Sequence, residues 1–189
     1  MYTHKKLSGF TIVELLIVIV VIATLAAITI VAYNGISQRA NNSAIIESAS
    51  SALRTINAYI AANDQYPYLY NTACITTTSG CIVNTVPKGA VSTFDNNIAT
   101  VGSLPRSVPT SGDNQTGILY DYKATRTYNG DVQPALLFYW LYGTGQQCGL
   151  PGVVVGWSTG VSSTTGYTMA NDSSTGKTLC YVHISGPSS

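Results

Sequence analysis

The chain has 189 residues, room for a membrane span and one globular domain beside it. Charge is sparse: nine Lys and Arg stand against eight Asp and Glu, 9% of residues together, for a net charge of +1. That balance excludes an electrostatic nucleic-acid binder, and 13 tyrosines among many Ser, Thr, Asn and Gly suit an extracellular surface.

Met1 to Gly9 carries Lys5 and Lys6, and a predominantly apolar run follows from Phe10 to Tyr33 with one charge in it, Glu14. As a helix, this run of roughly 24 residues reaches about 36 Å, enough to cross a hydrocarbon core of about 30 Å. No Lys or Arg follows until Arg39, so the positive-inside bias keeps the N-terminus in the cytoplasm. The run is longer than the apolar core of a secretory signal peptide and ends without a small-residue cleavage site. An ionised carboxylate at membrane depth costs about 2 kcal/mol or more. Glu14 therefore calls for a cationic partner, a neutral form or a position at the interface; an ordinary anchor with Glu14 reaching toward headgroups is the bland alternative.

Asn34-Gly35 interrupts the run, and a glycine inside a helix costs about 1 kcal/mol, so a helix could bend or loosen there. Beyond it, Ile45, Ala49, Ala52, Leu53, Ile56, Tyr59 and Ile60 recur at three- and four-residue intervals, with Arg39, Asn42, Glu47, Arg54 and Asn57 between them. This pattern predicts an amphipathic helix that continues the span to near Asn63, with Tyr66-Pro67 marking its end. Residues 64–116 are rich in Asn, Thr, Ser, Gly and Pro and read as a long ordered connection. Alternation predicts a strand over Gly117 to Tyr128. The turn signal Asn129-Gly130-Asp131 joins it to a second over Ala135 to Tyr142, as a hairpin. Val153 to Trp157 and Thr178 to Ile184 complete the sheet. The expected fold is α+β: a long N-terminal helix, membrane-spanning in its first half and amphipathic in its second, packed on a C-terminal antiparallel sheet.

The junction Ser8-Gly9-Phe10-Thr11-Ile12-Val13-Glu14-Leu15-Leu16 resembles the processing site of the type IV pilin family, which includes the pseudopilins of type II secretion systems. The resemblance implies a leader, residues 1–9, cut after Gly9 on the cytoplasmic side by a prepilin peptidase that also N-methylates Phe10. It further implies a transmembrane and assembly half over residues 10–35 and an extracellular pilin-like domain over residues 36–189. Glu14 matches the acid that family members carry four residues after the new terminus, where it faces the terminal amine of a neighbouring subunit. Electrostatics makes that role sensible, because an ammonium from the next subunit relieves a carboxylate that is costly alone. The partners implied are other copies of itself, minor pilins, the prepilin peptidase, a membrane assembly platform driven by a cytoplasmic ATPase, and membrane lipid before assembly. The precursor is expected in the cytoplasmic membrane with its N-terminus inside, and the product in a surface filament. A structural subunit of a type IV pilus-like filament is the expected function; a pseudopilin or minor pilin of a secretion or DNA-uptake machine is the alternative within the family. The chain departs from many members in having no proline in the span, where Ile30, Val31 and Ala32 stand instead.

Cys74, Cys81, Cys148 and Cys180 all follow the span, on the side where disulfides persist. Four cysteines allow three pairings, and spacing does not choose among them. Cys74 with Cys81 and Cys148 with Cys180 each fall within one local segment, and the second pair closes a loop similar in size to that of the pilins, which favours this pairing. Cys180-x-x-His183 hints at a metal, but Cys74 and Cys81 are too widely spaced for a zinc knuckle. Gly156-Trp157-Ser158-Thr159-Gly160 matches the G-x-S-x-G nucleophile pattern, with Asp172 and His183 following in hydrolase order. The pattern needs a helix after its turn, and Val-Ser-Ser-Thr-Thr-Gly follows instead. Ser158 is thus the sole candidate nucleophile for a membrane-anchored extracellular enzyme, the alternative from another class beside an adhesin; no enzymatic activity, metal or cofactor is expected. The stretch from Asn171 to Gly176 lacks the acidic spacing of a calcium loop and reads as a solvated turn. Tyr66-Pro67-Tyr68-Leu69-Tyr70 is expected to cover the sheet rather than form a contact surface. Asn41, Asn114 and Asn171 fit the glycosylation pattern.

Overall fold

Ile12–Asn63 form a single α-helix, α1, of 52 residues, in a computed structural model that describes residues 9–76, 80–83, 85–106, 115–128, 131–150, 153–155, 171–172 and 176–187. The helix runs through Asn34 and Gly35 without a break. The chain divides into two units, Met1–Arg39 and Ala40–Ser189, and α1 contributes to both.

In the first unit every large apolar side chain from Phe10 to Ile30 is exposed. The hydroxyls of Thr24 and Thr29 donate to the carbonyls of Val21 and Ala26, each at 2.9 Å, so neither polar side chain needs a partner outside the helix. By length and composition this helix is able to cross a membrane.

In the second unit α1 buries Ile45, Ala49, Ala52, Ile56, Tyr59 and Ile60, the stripe that the spacing predicts. They pack on a sheet of β1 (Asn71–Cys74), β4 (Ile118–Tyr122), β7 (Ala135–Tyr142), β10 (Lys177–His183) and β8 (Val153–Val155), in that spatial order. Every pairing is antiparallel, and β9 (Asn171–Asp172) also pairs with β10. The short hairpins β2–β3 (Cys81–Val83 and Val86–Lys88) and β5–β6 (Thr127–Tyr128 and Asp131–Val132) stand apart from it. The predicted central hairpin is present as β4 against β7, Ile118 opposite Tyr139 and Tyr122 opposite Ala135, with β5–β6 beyond them; Asn129 and Gly130 of the predicted turn lie outside the described residues. Residues 64–116 are not merely a connection. They supply the edge strand β1, the hairpin β2–β3 and a helix α2 (Ser92–Ile98) that buries Phe94 and Ile98.

Strand β7 is buried on both faces. Ala135, Leu137, Tyr139 and Leu141 join the core beneath α1, while Leu136, Phe138 and Trp140 join Leu119, Leu179 and Tyr181 in a second cluster. The Cys74–Cys81 disulfide belongs to that second cluster, and Cys148–Cys180 ties the segment after β7 to β10. Buried phenols anchor the connections: Tyr139 donates to the Cys148 carbonyl at 2.6 Å and Tyr120 to that of Tyr68 at 2.8 Å. Burial pushes both hydroxyls well above the usual phenol range. At the end of the β4–β7 ladder, buried Arg126 pairs with the Asp121 carboxylate and donates to the Pro134 carbonyl at 2.6 Å, while Thr72 donates to Asp121 at 2.7 Å.

Asn42 does not lie on the polar face, where the sequence pattern puts it. It is 6% exposed, its amide nitrogen donates to the Tyr142 carbonyl at 3.0 Å, and its amide oxygen accepts from the Tyr142 N–H at 2.8 Å.

Candidate processing and assembly site

The N-terminal end of α1 is built by a reciprocal cap. Thr11 precedes the first helical residue, and its carbonyl accepts from Leu15 N–H at 3.3 Å. Its hydroxyl oxygen accepts from Glu14 N–H at 3.2 Å, and the Glu14 carboxylate in turn accepts from Thr11 N–H at 2.8 Å and from the Thr11 hydroxyl at 2.8 Å. This is the capping box that Thr-x-x-Glu encodes: two otherwise orphaned backbone donors are satisfied, with the negative charge at the positive end of the helix dipole. The carboxylate oxygen Oε2 is thus held one residue from the Phe10 amide.

Around the cap the chain is open. A side chain at Gly9 would meet no atom within 4 Å, and Phe10 is 86% exposed. A peptidase and a methyl donor's enzyme need that access. Lys5 and Lys6 lie outside the described residues. Thr11 is the site residue that the sequence reading passed over, although the signal, Thr three residues before Glu at the head of an apolar run, was there to be read.

The other candidates do not converge. Ser158 lies outside the described residues. Asp172 sits opposite Lys177 at one end of β10 and His183 at the other end. Six residues of strand, about 20 Å, separate them, so these two do not make a triad pair. His183 is half-buried, stacked edge-on to Tyr181 with ring centres 5.8 Å apart. Burial, with help from the Arg126 guanidinium, holds its pKa down at about 4. The sulfur of Cys180 is bonded to Cys148 and is no thiolate donor beside His183. Asn41 lies within α1, Asn114 outside the described residues, and Asn171 in β9. In the tyrosine-rich stretch Pro67 is buried and Tyr66 stacks edge-on to Tyr122 at 5.5 Å, while Leu69 and Tyr70 are exposed. The stretch therefore covers the sheet at one end and stands free at the other.

Residues 4–30 match the prokaryotic N-terminal methylation motif, the signature of type IV pilins and pseudopilins. The motif, the apolar helix behind it and the antiparallel sheet that follows give this chain the layout of that class of structural proteins. Such a motif implies processing by a prepilin peptidase and a membrane-anchored precursor of a filament. No curated protein and no solved structure matches the chain.

Proposed function

We propose that the chain is a structural subunit of a type IV pilus-like surface filament, cut after Gly9, N-methylated on Phe10 and polymerised through α1. The observation that carries this reading is the first unit itself: an open Gly9-Phe10 junction and a capped Glu14 stand at the head of a helix whose large apolar side chains from Ile12 to Ile30 are all exposed. Such a surface is stable only in lipid or against other helices. Assembly exchanges the first environment for the second. In that exchange a cut neighbour's Phe10 amine offers Glu14 an ammonium, an opposite charge, where it now has only the dipoles of an amide and a hydroxyl.

N-terminal mass spectrometry of sheared surface material tests the reading. A chain beginning at methylated Phe10 is expected. An N-terminus still at Met1, or a size unchanged when the prepilin peptidase is deleted, would refute it. A processed chain absent from sheared fibres would instead assign it to a pseudopilin or minor-pilin role.

A further inference from the structure

One face of the sheet ends in a polar row. Thr72, Asp121, Leu136 and His183 stand directly opposite one another across β1, β4, β7 and β10, so the four side chains share a face. Buried Arg126, in the loop that joins β4 to β7, reaches this row. Its guanidinium pairs with the Asp121 carboxylate and donates to the Asp121 carbonyl at 3.2 Å and the Pro134 carbonyl at 2.6 Å. Thr72 donates to the other carboxylate oxygen at 2.7 Å, so both oxygens of the acid in the row are engaged. His183, half-buried at the end of the row, hydrogen-bonds the backbone of Gln133 in the same loop. Among the described residues, the titratable or charged groups about its ring are Arg126 from the loop and Tyr181 from its own strand. Asp121 of β4 stands behind Arg126, and β7 contributes apolar Leu136.

From this arrangement we infer that His183 is an acid-sensitive latch on the Lys123–Pro134 loop: its neutral ring fastens the loop through Gln133, and its imidazolium releases the loop, with hairpin β5–β6, while the sheet stays closed. The inference goes beyond the filament reading and does not depend on it. A proton on His183 puts a second positive charge beside a guanidinium whose partners are already fixed, and neither oxygen of Asp121 is left to balance it. Opening the loop separates the two cations and gives the ring to water. The loop is the part that yields because it lies outside the long ladders. It is held by bonds from Lys123 N–H to Pro134, Arg126 N–H to Lys123 and Gln133 N–H to Arg126, each 2.9 Å, whereas seven residue pairs join β7 to β10. In the closed loop, burial and the Arg126 charge hold the ring's pKa down at about 4; in the open loop it takes up its proton near the ordinary 6.5. Closure is therefore complete above pH 6.5 and weakens as pH falls toward 4.

Amide hydrogen exchange of the full-length chain in detergent micelles, compared at about pH 7 and pH 4.5, tests the latch. Protection factors of the Lys123, Arg126 and Gln133 amides are expected to fall about tenfold at the lower pH, less than the full shift gives because the ring is half exposed. About 1 M urea, too little to unfold the unit, should change them by less than about twofold, the mark of a local opening that exposes little surface. His183→Phe and His183→Gln each remove the titrating group and keep Arg126 and Asp121. In both, the protection factors at the two pH values are expected to agree within about twofold, and the thermal midpoint at pH 7 shows which variant is folded. Wild-type protection that does not change with pH, an equal fall in a folded variant, or a fall that steepens with urea would overturn the latch.

Discussion

Asn42→Ala tests how α1 is joined to the sheet. Pairing of β4 with β7 stops at Ile118 opposite Tyr139, short of Tyr142, so the last N–H and C=O of β7 have no strand beside them on that side. The Asn42 amide takes the strand's place, donating at 3.0 Å and accepting at 2.8 Å. Truncation removes two hydrogen bonds worth about 1 kcal/mol each and leaves two partly buried backbone groups unpaired, for a total of about 2–4 kcal/mol. For a unit of about 150 residues each kcal/mol moves the melting midpoint by about 2–4 °C, so Asn42→Ala should melt about 4–16 °C below wild type. The assay is thermal unfolding of the full-length chain in detergent micelles, followed by near-ultraviolet circular dichroism. Asn57→Ala, on the exposed face of the same helix, should stay within about 0.5 kcal/mol. An Asn42→Ala midpoint within a degree of wild type would show that the amide does not complete the strand.

Glu14→Ala should leave the melting of the second unit unchanged and lower fibre yield; normal fibres built from the variant alone would remove Glu14 from assembly. Gly117→Ala should cost more than about 3 kcal/mol in urea unfolding, because φ is +96° and an added Cβ would lie 2.5 Å from the Cys81 sulfur and 3.2 Å from its Cα. A variant with the wild-type urea midpoint contradicts that. His183 has a folded-state pKa of about 4 against 6.5 for the free imidazole, so the unfolded chain takes up the proton first. Its contribution is complete above pH 6.5 and is lost as pH falls toward 4, by about 1–2 kcal/mol once the half-exposed ring is discounted for solvent. His183→Phe should flatten the difference in stability between pH 7 and pH 4.5 by that amount, and equal slopes in the two proteins would refute the assignment.

Sequence pattern reached the elements whose periodicity is long. The stripe from Ile45 to Ile60 and the stop near Tyr66-Pro67 located α1 to its final residue, Asn63, and β4, β7, β8 and β10 coincide with the apolar runs. What it missed is short and polar. β1 reads Asn-Thr-Ala-Cys, which has no alternation to detect, and α2 offers only Phe94 and Ile98, a single i, i+4 pair. The run Ala-Leu-Leu-Phe-Tyr-Trp-Leu-Tyr of β7 did contain its own message, since a strand with no polar positions must be covered on both sides. Gly9, Phe10 and Glu14 stand out in the sequence because they lie within the methylation motif. Asn42 does not, because nothing in its neighbours distinguishes a side chain that completes a strand from one that faces water. Strand order was equally hidden, being fixed by contacts between segments distant in the chain.

That order has a consequence for export. Among the described residues β10 is the last strand in sequence, yet it lies inside the sheet, between β7 and β8, and carries the second cysteine of the Cys148–Cys180 bond. A chain delivered in sequence must therefore hold β7 with one side unpaired, and Leu136, Phe138 and Trp140 incompletely covered, until Lys177–His183 arrive. A product truncated before β10 would therefore display an open apolar strand edge and an unpaired Cys148 thiol.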